Sequence, residues 1–140
     1  SSDLEAHINV HELKNILNQI NNQNSSLSYK ERFLAKLGKM SLIVPQERIV
    51  YFQKENLIYL ANNEKQQLIT DFNILESLEE LLDPKIFFRA NRQTLINIKY
   101  IDSYRSDSIG KLTVKLKIYE NLAIDISRDK ALSFKMWLGI

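Results

Sequence analysis

From about Lys30 onward the chain is written in short runs in which apolar and polar positions alternate, the period of two that sends successive side chains to opposite faces of a strand. Arg32–Leu37 and Met40–Val44 flank Gly38-Lys39 and read as a hairpin. Arg48–Gln53, Leu57–Ala61 and Gln67–Thr70 are rich in β-branched and aromatic residues and are separated by polar clusters, so they predict three more strands. The period then lengthens. Asn73-Ile74-Leu75-Glu76 has capping-box spacing, with Asn73 as N-cap and Glu76 reaching back. It predicts a helix through Leu82 with Leu75, Leu78, Leu81 and Leu82 on its buried face, ended by Asp83-Pro84. Strands resume at Phe87–Arg89, Leu95–Ile98 and Ile101–Arg105. A turn at Gly110 leads into Leu112–Tyr119, where Leu112, Val114, Leu116 and Ile118 alternate with Lys111, Lys115 and Lys117: one buried face and one basic, solvated face. Leu122–Ile126 is the last strand, and Ser127 caps a final helix through Leu138 that packs Leu132, Phe134, Trp137 and Leu138.

The first residues follow another rule. Val10, Leu13, Leu17 and Ile20, widened by Ile16, make an amphipathic helix over residues 9–22, and Asn21-Asn22-Gln23-Asn24-Ser25-Ser26 breaks it as a polar linker would. Two heptads are too few to specify a dimer, so the helix reads either as a connector or as an element packed on its own domain. The expected organisation is a connector helix and linker over residues 1–28 and one mainly β domain with short helices (α+β) over residues 29–140.

A length of 140 residues, 44% hydrophobic and 26% charged, suits one globular domain with a short appendage. No apolar run approaches membrane-spanning length, and the absence of cysteine removes disulfides and thiolate metal sites, so a cytoplasmic location is expected. Because the sequence starts Ser-Ser-Asp, it is expected to be a fragment of a longer protein. The net charge of +2 conceals an asymmetry: residues 1–84 hold eight Lys/Arg against twelve Asp/Glu, whereas residues 85–140 hold eleven against five. A basic half suits a polyanion partner, although unevenly charged solvated surfaces are common.

Catalytic patterns are missing: the sequence has no glycine-rich phosphate loop and no metal-spaced cluster. His7 and His11 stand four apart without a third ligand nearby, Glu79-Glu80 reads as surface solvation, and Ser127 has no histidine in its half of the chain. Neither an enzyme nor a cofactor or metal is expected. The distinctive stretch is Phe87-Phe88-Arg89-Ala90-Asn91-Arg92-Gln93-Thr94-Leu95-Ile96-Asn97. Its forked, planar side chains are poor nucleophiles but suit base edges and phosphates, Arg with guanine and Asn or Gln with adenine. Blander roles compete. Arg89 could equally form a structural salt bridge, Asn91 could stabilise a turn through its own backbone, Asn97 could satisfy backbone groups, and the strand lysines could simply discourage edge pairing.

The pattern Phe88-Arg89-x-Asn91-Arg92-Gln93-x-x-Ile96-Asn97, preceded by a leucine helix and followed by a basic hairpin and Ser127-Arg128, resembles the LytTR DNA-binding domain of LytR/AlgR-type bacterial response regulators. Tyr29-Lys30-Glu31-Arg32-Phe33-Leu34 and Phe134-Lys135-x-Trp137-Leu138 extend the likeness from about Tyr29 to the C-terminus. The resemblance implies an elongated arrangement of about ten short strands. It also implies inter-strand loops that enter successive major grooves of a direct-repeat operator. Carried onto this chain, it implies base contacts from Asn91, Arg92, Arg128 and, loosely, Asn56 in the Lys54-Glu55-Asn56 hairpin. Arg89, Gln93, Ser127, Lys130 and Lys54 would hold phosphates, fixing register rather than sequence. Many members carry His where Asn91 stands and Ser where Gln93 stands, so their preferred DNA sequence does not transfer. The resemblance further implies an N-terminal receiver domain in the full-length protein and leaves open a homodimer on DNA. The competing expectation is a β-rich protein-interaction module with a basic docking face. An RNA-binding role would require Phe87 and Phe88 to face solvent.

Overall fold

The computed structural model describes residues 13–15 and 29–140. The predicted helix over 9–22, its polar linker, and His7 and His11 otherwise lie outside the described residues; residues 13–15 are helical and exposed. The strands are β1 (Arg32–Leu37), β2 (Met40–Pro45), β3 (Ile49–Lys54), β4 (Ile58–Asn62), β5 (Gln67–Thr70), β6 (Phe87–Asn91), β7 (Thr94–Asn97), β8 (Ile101–Ser106), β9 (Leu112–Leu116) and β10 (Ala123–Ile126). Within residues 29–140 the helices are α1 (Leu75–Leu81) and α2 (Arg128–Leu138), and one-turn 3-10 segments precede β3 and β8. The mainly β expectation holds, with boundaries shifted by a residue or two except for β9, which stops at Leu116 rather than Tyr119.

Every strand pair is antiparallel. Seven strands form one sheet in the order β2-β1-β5-β4-β3-β7-β6, and three form a second in the order β10-β9-β8. Alternation along the large sheet divides its core in two. Phe52, Leu60 and Leu95 face α1 and pack with Phe33, Leu75, Leu78 and Leu82. Their neighbours Tyr51, Ala61 and Ile96 face the other way, into a cluster with Leu112, Val114, Leu116, Ile126 and Phe134 from the small sheet and α2. The large sheet is therefore the middle layer, with α1 on one face and the small sheet with α2 on part of the other. Asn97, 1% exposed, ties β7 to the start of β3 and caps the 3-10 turn before β8: its amide donates to the Ile49 carbonyl at 2.8 Å and its oxygen accepts from the Lys99 N–H at 2.9 Å. This is the backbone-satisfying role.

Three sequence expectations need correction. Asn73 is not the N-cap; Ile74 occupies that position in extended conformation, without a side-chain cap bond. Glu76 thus falls one position too early to close a capping box, and its carboxylate turns toward Arg89. Leu81 is 37% exposed and Leu132 69% exposed, so neither belongs to the core. The buried positions nearby are taken by Leu82, the C-cap of α1, and by Phe134, two residues on from Leu132 in α2. Ser127 does occupy the N-cap of α2, but its hydroxyl makes no cap bond.

Candidate nucleic-acid interface

The polar residues singled out in the sequence converge around the turn between β6 and β7. The two strands pair tightly, and the register slips between Arg89 and Asn91, so that Ala90 forms a β-bulge. The slip changes where side chains point. Without it Arg89 and Asn91, two apart, would share a face. With it, Arg89 faces α1, and Asn91 reaches the other side to donate its amide to the Asp125 carbonyl of β10 at 3.0 Å. The Asn91 side-chain oxygen accepts the Gln93 N–H at 2.9 Å, closing an Asx turn with Arg92 at its tip.

This tip is tied to its neighbours. The Lys54 N–H donates to the Gln93 carbonyl at 2.7 Å, so the β3–β4 turn carrying Glu55 and Asn56 lies beside it. On the other flank the Lys130 ammonium donates to the Arg89 carbonyl at 3.0 Å and sits 5.9 Å from the Phe88 ring, bringing in the first turn of α2 with Ser127 and Arg128. The β8–β9 turn joins through Gly110, whose φ of +90° is a glycine conformation. A Cβ there would stand 2.9 Å from Cγ of Arg128. The Asp107 carboxylate orders that turn by accepting the Ile109 and Lys111 N–H groups, both at 3.0 Å, and Lys111 pairs with Asp125 at 3.2 Å.

The geometry sorts the candidates. Arg92, Asn56 and Arg128 are exposed, and among the described residues no hydrogen bond or ion pair holds the guanidinium of Arg92 or Arg128. Gln93 and Ser127 are exposed at the edges of the same turns, and Lys54 is half-buried beside them. Two of the expected phosphate contacts, Arg89 and Lys130, point into the protein. The Arg89 side chain is only 14% exposed, and its fork is engaged with Glu79 at 3.1 Å, Glu76 at 3.3 Å, the Asn91 carbonyl at 2.6 Å and the Arg92 carbonyl at 2.7 Å. Lys130 is likewise turned inward. Asn91 already uses its amide and oxygen inside the protein, which makes it a shaping residue before it is a reader.

The Glu76 carboxyl is held below the usual carboxylate range, chiefly by a hydrogen bond from its own backbone and then by that from Arg89. Phe87 is buried, and Phe88 packs against Phe134 and Trp137 at centroid distances of 5.6 and 5.1 Å. These rings do not form a base-stacking platform. A groove of about 350 Å³ crosses the outer face of the small sheet between Arg105, Lys115 and Leu122. Among the described residues, no group of three His, Asp or Glu side chains could hold a metal ion, and no helix is long and apolar enough to cross a membrane.

Sequence reasoning placed the turn at Gly110 but missed its approach to Arg128, the bulge at Ala90 and the part played by the carboxylates of α1. Gly110 alone carried a signal, as a glycine between two strands facing a basic turn.

A family model described as the LytTr DNA-binding domain matches residues 39–139. Among solved structures, the chain is similar to the LytTr DNA-binding domain of a methyl-accepting/DNA response regulator from Bacillus cereus. The two are 21% identical with a TM-score of 0.68, over 79% of this chain and 99% of that one. No curated protein matches the chain.

Proposed function

Because the chain belongs to the LytTR family of DNA-binding domains, we propose that it binds double-stranded DNA sequence-specifically, as the output domain of a bacterial transcriptional regulator of the two-component type. The observation that carries this reading is the convergence of three backbone-anchored segments, tipped by Asn56, Arg92 and Arg128, along one side of the fold. Anchored tips suit recognition because little ordering remains to be done on binding.

In this reading Arg92 and Arg128 enter the major groove and address base edges, most naturally O6 and N7 of guanine. Asn56 supplies a further base contact, and Asn91 contributes with whatever hydrogen-bonding capacity its internal bonds leave free. Lys54, Gln93, Ser127 and the free N–H groups opening α2 hold phosphates. The basic strand lysines add a field that is independent of sequence. Residues 1–28 connect to a receiver domain, and a direct-repeat operator accommodates two copies. No step of this function needs a cofactor, and we read the domain as non-enzymatic.

The test is selection of duplexes from a random pool, followed by anisotropy titration of a selected and a scrambled duplex at low and physiological salt. Selective binding that weakens steeply with salt supports the proposal, whereas equal weak binding to both duplexes refutes it. One observation favours a second reading, protein interaction. Leu34, Ile43 and Ile69 are exposed on the part of the large sheet that the small sheet leaves open, at the edge opposite β6. Partner binding abolished by Ile43→Asp but not by Arg92→Ala would support it.

A further inference from the structure

The geometry points to Arg89 as a positioning residue for the Arg92 tip, orienting the tip from behind through the carboxylates of α1. This inference rests on the proposed reading of DNA by Arg92.

Nε of Arg89 donates to the Asn91 carbonyl at 2.6 Å, and Nη2 donates to the Arg92 carbonyl at 2.7 Å. These are the peptide oxygens on either side of the tip, so one rigid fork sets the direction of the peptide that carries the Arg92 side chain. The fork itself is fixed from the opposite side. Nη1 bonds Glu79 at 3.1 Å and Nη2 bonds Glu76 at 3.3 Å, two carboxylates one helical turn apart on α1. The bulge at Ala90 completes the device by turning Asn91 to the far side, where Asp125 holds it. The tip is therefore gripped from both faces of the hairpin, by Arg89 from α1 and by Asn91 from β10.

Charge supports the same assignment. Glu76 and Glu79 lie close to a surface proposed to meet phosphates, where unpaired carboxylates would repel them. Arg89 pairs with both and offsets one of their two negative charges, without presenting its own charge to the ligand, since its side chain is 14% exposed. A lysine could supply the positive charge but not the four directed bonds.

The experiment uses the whole chain with Arg89→Lys and, because that change could weaken the fold, also Glu76→Gln/Glu79→Gln on the exposed face of α1. Two readouts are taken. Amide hydrogen exchange without DNA follows the Gln93 and Lys54 N–H groups, which bond within and beside the tip, with the core amides of Phe52 and Leu95 as control. Anisotropy compares selected and scrambled duplexes across salt, in wild-type and Arg92→Ala backgrounds.

Arg89→Lys is expected to speed exchange at Gln93 and Lys54 while sparing the core. It should weaken the selected duplex by about 5- to 100-fold, a loss bounded by that of a base contact. The salt slope should stay unchanged, and in the Arg92→Ala background Arg89→Lys should add no further loss. The double glutamine variant should move the same quantities in the same direction by less. Unchanged exchange at Gln93 and Lys54 in both variants overturns the inference. So does a salt slope lower by about one with losses that add to those of Arg92→Ala, because Arg89 would then be a phosphate contact. If the wild-type chain shows no sequence selectivity, the proposed DNA reading fails while the exchange measurement still decides whether Arg89 holds the tip.

Discussion

Truncating Arg92 to alanine separates recognition from folding. Its side chain is exposed at the tip of the β6–β7 turn and, among the described residues, its guanidinium has no intramolecular partner. Removal therefore leaves no buried group unsatisfied, and the stability of the fold should stay within about 0.5 kcal/mol of the parent. The turn should persist as well, because the Asn91 oxygen holds the Gln93 N–H and Arg89 holds the Arg92 carbonyl, and alanine retains both backbone groups. On a selected duplex the change removes one bidentate base contact, worth about 1–3 kcal/mol, or a loss of roughly 5- to 160-fold in Kd. On a scrambled duplex little should change. Since a base contact neutralises no phosphate, the slope of log K against log salt should also stay near that of the parent, whereas Lys54→Ala should weaken both duplexes alike and reduce the slope by about 0.9. Urea denaturation gives the first quantity, and anisotropy titration at three or more salt concentrations gives the others. Equal losses on selected and scrambled DNA, or a slope reduced by one in Arg92→Ala, would refute the base-reading role.

Asn97→Ala should destabilise the fold by about 1–3 kcal/mol in urea titration, because it removes the donor to the buried Ile49 carbonyl and the cap on the part-buried Lys99 N–H. Asn73→Ala should change stability by no more than about 0.5 kcal/mol, since Asn73 does not cap α1. Gly110→Ala forces an L-residue to φ near +90° and drives a Cβ against Arg128, so about 1–2 kcal/mol of stability should be lost. It should also weaken selected-site binding by more than that loss of stability explains; unaltered affinity would show that the Arg128 side chain need not lie where it does. The Tyr119 phenol is pushed up to about 12 by burial and then by Tyr51, and it donates to the Asn62 carbonyl at 2.7 Å. Below pH ~10 it is protonated folded or unfolded; above that the unfolded chain releases its proton first, so stability should fall as pH rises toward 12. Tyr119→Phe should flatten urea midpoints measured from pH 9 upward, and an unchanged profile would assign the alkaline loss to other groups.

Local pattern made much of this molecule legible. The period-two runs marked ten strands because a half-buried strand must alternate, and leucine spacing marked α1 because Leu75, Leu78 and Leu82 recur on one helical face. The motif at residues 88–97 marked the turn to which we assign recognition, since Arg and Asn at a turn between apolar strands have few ways to serve a core. Which of those residues remain free for a ligand was not legible there. That depended on partners distant in the chain: Glu76 and Glu79 for Arg89, Asp125 for Asn91, Arg128 for Gly110. It depended also on the one-residue bulge at Ala90, which turns Asn91, the last residue of β6, away from the face of Arg89. The non-sequential strand order places the β3–β4 turn beside that of β6–β7. Periodicity reports only which face of an element is buried, so it determined the strands, the helices and the polar segment. Side-chain availability is set by three-dimensional neighbours and backbone register, and only the tertiary structure decided that Arg92 and Arg128 find no partner among the described residues while Arg89 and Lys130 turn inward.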